Sequence, residues 1–443
     1  MPGPASGDVV PAWTVLPFIA YLLAIALLPL LAPRFWHSNR NKLILALAAS
    51  IPVVAYLLLS TEHGGHWLVH SAKDYAGFIA LMAALYVTAG GIYLKGSLAG
   101  TPLTNTAILG IGAVAASFIG TTGASMVLIR PLLRANEKRE RKAHIVVFFI
   151  FIVSNAGGLL TPLGDPPLFL GFLHGVPFLW TFKLAAPWLL VNGALLLLFN
   201  LVDQRVLNRE ERERAGSQLE EVQAHDPLTI EGGLNFAWLA GVIGVVYASG
   251  AWGPRLFGHP DAVLLAQVAG LALFTWVSMV ATSRSIRESN RFTWGPIVEV
   301  AAIFIGIFVT MVPALRILNS MGADGRIALD RPWHFFWATG SLSSFLDNAP
   351  TYLTFTALAA GLKGVDPMHL EGLLSPGGEP LLAAISCGAV FFGAMTYIGN
   401  GPNFMVKAIA EEHRIAMPGF FGYMAWSAAI LLPIFAVVSL VWF

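Results

Sequence analysis

An all-α polytopic membrane protein, made of two inverted repeats with broken helices at a substrate site, is the fold class this sequence predicts. Three observations predict it. The 443 residues are 56% hydrophobic and only 12% charged, with a mean hydropathy of +0.70, whereas soluble chains are about 45–50% apolar and about 25% charged. Apolar stretches near the ~20 residues that a helix needs to cross a bilayer recur along the chain. The 44 Gly and 27 Pro interrupt several of them, which is tolerated at membrane depth where freed backbone lines a cavity. So little charge cannot clothe a soluble protein of this size, which excludes a cytoplasmic enzyme, a nucleic-acid binder and a disordered chain. The 26 basic and 25 acidic residues leave a net charge of +1, so no polyanionic partner is implied. A single cysteine, Cys387, excludes a disulfide framework and a cysteine-based metal site.

In chain order, the first span is expected over 11–31. No basic n-region or small-residue cleavage site precedes it, so it reads as a retained helix. Spans over 43–59 and 74–94 follow. Residues 103–133 are apolar but rich in Gly, Ser and Thr at the middle, and read as a re-entrant hairpin. Residues 145–173 read as a helix broken by Gly and Pro, and 184–201 as a clean span that closes a first repeat over 1–202. The polar, mixed-charge segment 203–233 reads as a cytoplasmic linker. The second repeat, 234–443, holds spans at 234–250, 262–282 and 294–318, a second hairpin at 333–362, a second broken helix at 380–410 and a last span at 419–442. Lys and Arg cluster at 34–42, 134–142, 205–214 and 284–291. All four clusters fall on one face if the two hairpins do not cross, giving about five crossings and one hairpin in each half.

Self-comparison supports the duplication. Ser117-Phe118 matches Ser344-Phe345, each followed by a polar tip, Thr121-Thr122 in one half and Asp347-Asn348 in the other. Residues 161–167 (TPLGDPP) match 396–402 (TYIGNGP), sharing Thr-x-(Leu/Ile)-Gly-(Asp/Asn)-x-Pro. The pairs lie 227 and 235 residues apart, in the same order. An odd number of crossings per half inverts the second relative to the first, and inverted repeats with discontinuous helices mark secondary transporters that bind near the midplane.

The breaks carry the candidate chemistry. Pro removes amide donors and Gly frees the backbone, so carbonyls at the break can ligate a small hard cation while half-helix N-termini can hold an anion. Asp165 and Asp347 are carboxylates inside apolar stretches, where a charge costs about 2.5–3.5 kcal/mol on insertion scales and is a functional candidate by default. A buried carboxylate poised near neutrality can exchange a proton for Na⁺. Asp165 and Asp347, with Asn155, Asn348 and Asn400, are therefore the expected cation and proton ligands. Thr121, Thr122, Ser125, Ser154, Thr161, Gly164, Thr396, Gly399 and Asn403 are expected to support the site. Glu299 and Asp74 occupy related positions and read as capping or gating residues, and Lys407 and Arg130 as snorkelling at span ends. His63, His66 and His70 form a weak metal-like pattern, and no Walker motif is present.

These residues resemble the ion transporter superfamily from about residue 40 to the end. The run Ser154–Gly158 (SNAGG), followed by Pro162 to Asp165 (PLGD), is similar to the NhaD-type sodium/proton antiporters and their citrate-transporter-like relatives. Asp347 to Pro350 (DNAP) matches the second-half element. Divalent-anion/sodium symporters of the superfamily carry Ser-Asn-Thr at their hairpin tips, where this chain has Gly120-Thr121-Thr122 and Asp347-Asn348-Ala349. Its Pro166-Pro167-Leu168 is closer to the anion carriers than to the antiporters. The resemblance implies a homodimer and an elevator-like motion of the hairpin-bearing part. The expectation is a secondary transporter, not an enzyme, that exchanges Na⁺ or Li⁺ for H⁺. The alternative is a Na⁺-coupled carrier of a di- or tricarboxylate or another small anion. No cofactor beyond the transported ions and no ATP is expected, and the place is a bacterial inner membrane.

Overall fold

The computed structural model describes residues 10–213 and 226–443, and the chain is an all-α polytopic membrane protein. Among the described residues, eight helices are long and apolar enough to cross a membrane. The order is α1 (Leu16–Leu31), α2 (Asn39–Ser60), α3 (Gly64–Ala89), α4 (Pro102–Ile119), α5 (Thr121–Ala135), α6 (Ala143–Ile152), α7 (Pro166–Leu173), α8 (Ala185–Glu213), α9 (Asn235–Ala251), α10 (Pro260–Ala281), α11 (Gly295–Ala323), α12 (Pro332–Ser343), α13 (Asn348–Leu362), α14 (Glu379–Phe392), α15 (Gly401–Glu412) and α16 (Phe420–Trp442). Short helical turns join several of these.

Two packed groups emerge. Helices α2, α3, α9, α10 and α11 pack on one another, the first hairpin and the broken-helix segments pack with α8 and α16, and α13 of the second hairpin packs across onto α11. The broken segments are the most enclosed part of the molecule. The window 143–160 is 89% buried, whereas the windows in α2 and α10 are 22% and 17% buried and present apolar side chains such as Ile51, Leu265 and Trp276 outward. Apolar surface on the periphery and dense packing at the centre are what lipid as solvent allows.

Three features differ from the sequence reading. The third span begins at Gly64, ten residues before the expected 74, because the polar residues that seemed to stop it are bonded within the protein: Asp74 meets His70 and His174, each at 3.1 Å. Helix α8 runs on through the start of the polar segment to Glu213. Its acids are taken up by Arg139, which donates to Asp203 (2.6 Å) and Glu210 (3.3 Å), and Asp203 also meets His144 (2.8 Å) and Asn105 (2.9 Å). Residues 214–225 of that segment lie outside the described residues. Finally, among the described residues the all-helical pattern is broken by one antiparallel pair of strands, β1 (Tyr93–Ser97) and β2 (Asp226–Glu231), in register Tyr93↔Glu231 and Lys95↔Thr229. The pair ties the exit of α3 to the segment before α9, and Arg134 donates to the β1 carbonyls of Leu94 and Gly96.

Candidate functional site

The two helix breaks are built alike, down to individual hydrogen bonds. Thr161 donates its hydroxyl to the carbonyl of Ser117, and Thr396 donates to that of Ser344 at 2.5 Å. Each threonine thus ties its break to the first arm of the hairpin in its own half. Each hydroxyl oxygen also accepts the amide two residues on, Leu163 at 3.1 Å and Ile398 at 3.2 Å, a local turn that competes with helix. Asp165 and Asn400 then take the same extended backbone, with φ −148° and −153° and ψ 143° and 142°, before Pro166 and Pro402 restart a helix. The matched glycines are required by close approach. A Cβ on Gly164 would lie 2.1 Å from the Gly158 carbonyl oxygen, and one on Gly399 would lie 2.6 Å from that of Gly393.

The hairpin tips meet the breaks. Gly120 turns between α4 and α5 at φ 77°, a region that L side chains rarely enter. Asp347 turns between α12 and α13. Four helix N-termini thereby converge, those of α5, α13, α7 and α15. Asp165 is the residue where they meet. It is 1% exposed, and its Oδ1 accepts from Thr121 Oγ1 at 3.0 Å and from Asn400 Nδ2 at 3.1 Å. Its Oδ2 accepts from Asn348 Nδ2. Thr121 and Asn348 occupy equivalent tip positions, 227 residues apart. All three partners are neutral donors.

Around this carboxylate lies an amide network. Asn400 Nδ2 also reaches the Ser154 carbonyl at 3.1 Å and Asn155 Oδ1 at 3.3 Å. Asn155 donates to the Ile150 carbonyl (2.8 Å) and to Asn403 Oδ1 (2.7 Å), and Asn403 donates to the carbonyls of Gly393 and Thr396. The Ser125 and Ser154 hydroxyls are 2.9 Å apart. Among the described residues, Asn348 Oδ1 is buried without a hydrogen-bond partner, which leaves an acceptor beside Asp165.

The structure therefore brings together Asp165, Thr121, Asn348, Asn400, Asn155, Ser154, Ser125 and Asn403, while Thr161, Thr396, Gly164 and Gly399 shape the backbone. Asp347 sits at the tip, half-buried, and its Oδ1 accepts the Ala349 amide at 3.1 Å. It caps α13 and makes no hydrogen bond to Asp165 among those described. Thr122 instead lines a narrow cleft of about 50 Å³ with Gly120, Gly164 and Pro166, closed on the other side by Tyr86 of α3 and by Ile297 and Val300 of α11.

Glu299 pairs with buried Lys42 at 2.6 Å, Arg130 donates to the Asn290 carbonyl and Lys407 pairs with Glu411. Among the described residues, no group of three or more His, Cys, Asp or Glu is placed to hold a metal ion. The supports from α8 are not among the residues that the sequence singles out. Trp188 donates to the Gly157 carbonyl at 3.0 Å and Asn192 to that of Ala156 at 3.3 Å. A polar Asn within the clean span 184–201 was the available signal. Gly393, which the 235-residue offset pairs with Gly158 of the SNAGG run, is likewise not among the residues singled out.

Comparison with known proteins places the chain in a family. The family model described as "Putative citrate transport" matches residues 7–443. No curated protein matches the chain. Because the family model covers nearly the whole chain, the chain belongs to this citrate-transporter-like family, which makes it a secondary transporter in a membrane.

Proposed function

With that family as premise, we propose that the chain is a cation-coupled secondary carrier of a carboxylate anion such as citrate. The observation that carries this reading is Asp165, a buried carboxylate held only by neutral donors where four helix N-termini converge. Each N-terminus carries about half a positive charge, and in a water-excluded site their field is strong. With Asp165 ionised, the field is spent on the protein's own carboxylate. When a proton or Na⁺ neutralises Asp165, the same field is free to hold a substrate carboxylate in the adjoining cleft, at Gly120, Thr121, Thr122 and Gly164. Binding of cation and anion then favour each other, which is the requirement for symport. Asn348, Asn400 and Asn155 supply amide oxygens and donors to the cation side, and Asp347 adds negative charge at the tip.

Labelled citrate uptake in proteoliposomes tests this. Uptake should be saturable and should require an inward Na⁺ or proton gradient, and Asp165→Asn should lower the cation-dependent component at least tenfold. Citrate uptake that ignores both gradients would sink the proposal.

One observation favours a second reading, sodium/proton exchange. The unpartnered Asn348 Oδ1 beside Asp165, with the nearby Ser154 carbonyl, is an oxygen set suited to a small hard cation. In that reading Asp165 alternates between Na⁺ and H⁺ with Asp347 assisting, and Na⁺ should move protons in vesicles that hold no carboxylate. Under either reading, the matched breaks and hairpins support two inverted repeats, while the elevator-like movement of the hairpin-bearing helices, the homodimer and the bacterial inner membrane rest on the superfamily resemblance.

A further inference from the structure

Outside the Asp165 site, one other cluster of buried titratable groups joins segments that a carrier has to move past each other. Asp74, on α3, is 6% exposed. Its Oδ2 is met at 3.1 Å by His174 Nε2 and at 3.1 Å by His70 Nδ1. His174 ends α7 and is buried. Its Nδ1 lies 3.2 Å from the Pro367 carbonyl in the loop after α13, and its own carbonyl accepts the Leu370 amide at 2.7 Å. One imidazole thus links three segments: a helix of the α2–α3–α11 group, the outer arm of the first break and the loop that follows the second hairpin.

The chemistry of the contacts fixes the protonation. A carbonyl oxygen can only accept, so Nδ1 of His174 carries a hydrogen. An ionised carboxylate also only accepts, so Nε2 carries one too. Both contacts are satisfied together when Nδ1 carries a hydrogen and one further proton lies between Nε2 and the Asp74 carboxylate, as in an imidazolium facing a carboxylate. Loss of that proton sets a bare nitrogen lone pair against a buried carboxylate, and the contact between α3 and α7 loses its attraction. His70, with about a third of its side chain exposed, gives the buried pair a route to the aqueous edge.

Other charged groups face the cluster. On α3, Lys73 pairs with Asp261 at the start of α10 (2.6 Å). From α11, Arg316 lies 3.8 Å from Asp366 and stacks over Trp67. From the loop after α13, His369 and Glu371 pair with each other at 3.2 Å, with the Glu371 carboxylate against Gly175. These groups pair among themselves, so the proton on the Asp74–His174 contact is the one whose loss removes the attraction between α3 and α7, while His70 stays with Asp74 on α3.

We propose that His174 and Asp74, with His70 at the rim, form a second proton-binding site separate from Asp165. Its protonated form latches α7 and the loop after α13 onto α3, and its deprotonation releases them. The latch is closed while that proton is held and opens when it is lost, so higher pH favours the open form. The inference rests on the carrier reading only in taking these segments to move relative to one another, and it does not depend on the substrate.

Spin labels at His66→Cys and Lys363→Cys, both exposed, in a Cys387→Ala background report the distance across the latch in nanodiscs. A single short distance is expected at about pH 5.5, and a component longer by about 5 Å, one helical turn, at about pH 8.5. His174→Gln and Asp74→Asn should each show the same distribution at both pH values. If His174→Gln fails to fold, Asp74→Asn carries the test alone. Asp165→Asn should keep the wild-type shift even where uptake is lost, which separates failure of the latch from failure of the transport reading. A wild-type distance that ignores pH, a shift that survives His174→Gln or Asp74→Asn, or a shift that vanishes in Asp165→Asn would overturn the proposal.

Discussion

Asp165 differs from the other buried acids in what compensates it. Asp203 faces an arginine at 2.6 Å and a histidine at 2.8 Å, and Asp74 faces two histidines. Asp165 faces a hydroxyl and two amides. A hydrogen bond to a charged group contributes about 1.5–3 kcal/mol, so each donor stabilises the ionised form substantially. Thr121→Val removes one donor with little change of shape and favours the protonated form. The midpoint of the pH dependence of uptake should therefore move to higher pH by about one unit, since one unit corresponds to about 1.4 kcal/mol. A pH profile of citrate uptake measures this, and an unchanged midpoint would mean that Asp165 is not the coupling group. Asp347 calls for a different test. Its carboxylate caps α13 through the Ala349 amide, and loss of a cap typically costs about 1 kcal/mol. Asp347→Ser should keep both the cap and the coupling, whereas Asp347→Ala should lower the thermal midpoint by about one degree. A loss of coupling in Asp347→Ser as deep as in Asp165→Asn would place Asp347 among the cation ligands instead.

At the scale of elements, each break holds its shape through a threonine, a close pair of glycines and a proline restart. Gly164→Ala drives a methyl into the Gly158 carbonyl, with 2.1 Å where ordinary contact needs well over 3 Å. The backbone around Asp165 must shift, so uptake should fall at least tenfold, and circular dichroism should show the helices retained because the clash is local. Gly193→Ala is the matched control, for nothing lies within 4 Å of a Cβ there, and it should behave as wild type. Much of this element was legible in the sequence because duplication wrote it twice: Thr161 with Thr396, Gly164 with Gly399 and Asp165 with Asn400 share one offset and take one geometry. The hairpin tips were legible for the same reason, although nothing in the spacing showed that Asn348, rather than its neighbour Asp347, reaches Asp165. What stayed illegible is contact between distant segments. His174 lies 100 residues from Asp74 and Arg139 lies 64 from Asp203. Read locally, those charges break a span or start a linker. Read with their partners, they are neutralised, and α3 and α8 run on through them.

At the scale of the whole molecule, the proposed movement must carry the tips past α3 and α11. The two contact zones are unlike. Near Thr122 the hairpin faces Ile297 and Val300 of α11 across an open cleft. At the other end of α11, Asn319 donates to the carbonyls of Ala357 and Val365 at 3.2 and 3.1 Å, and a Cβ on Gly361 would lie 1.9 Å from the Asn319 carbonyl oxygen. Small residues in close backbone contact form a smooth interface without interlocking side chains, so this end suits a pivot or a sliding face, and the cleft end suits the larger displacement. Fixing the cleft should then stop the carrier. In a Cys387→Ala background, Thr122→Cys with Ile297→Cys, joined by a short thiol-specific cross-linker, should arrest citrate uptake, and each single cysteine treated alike should not. A cleavable disulfide-containing linker should allow reductant to restore uptake. Undiminished uptake in fully cross-linked protein would show that the hairpin does not move against α11, and would leave local opening at the tips as the means of access.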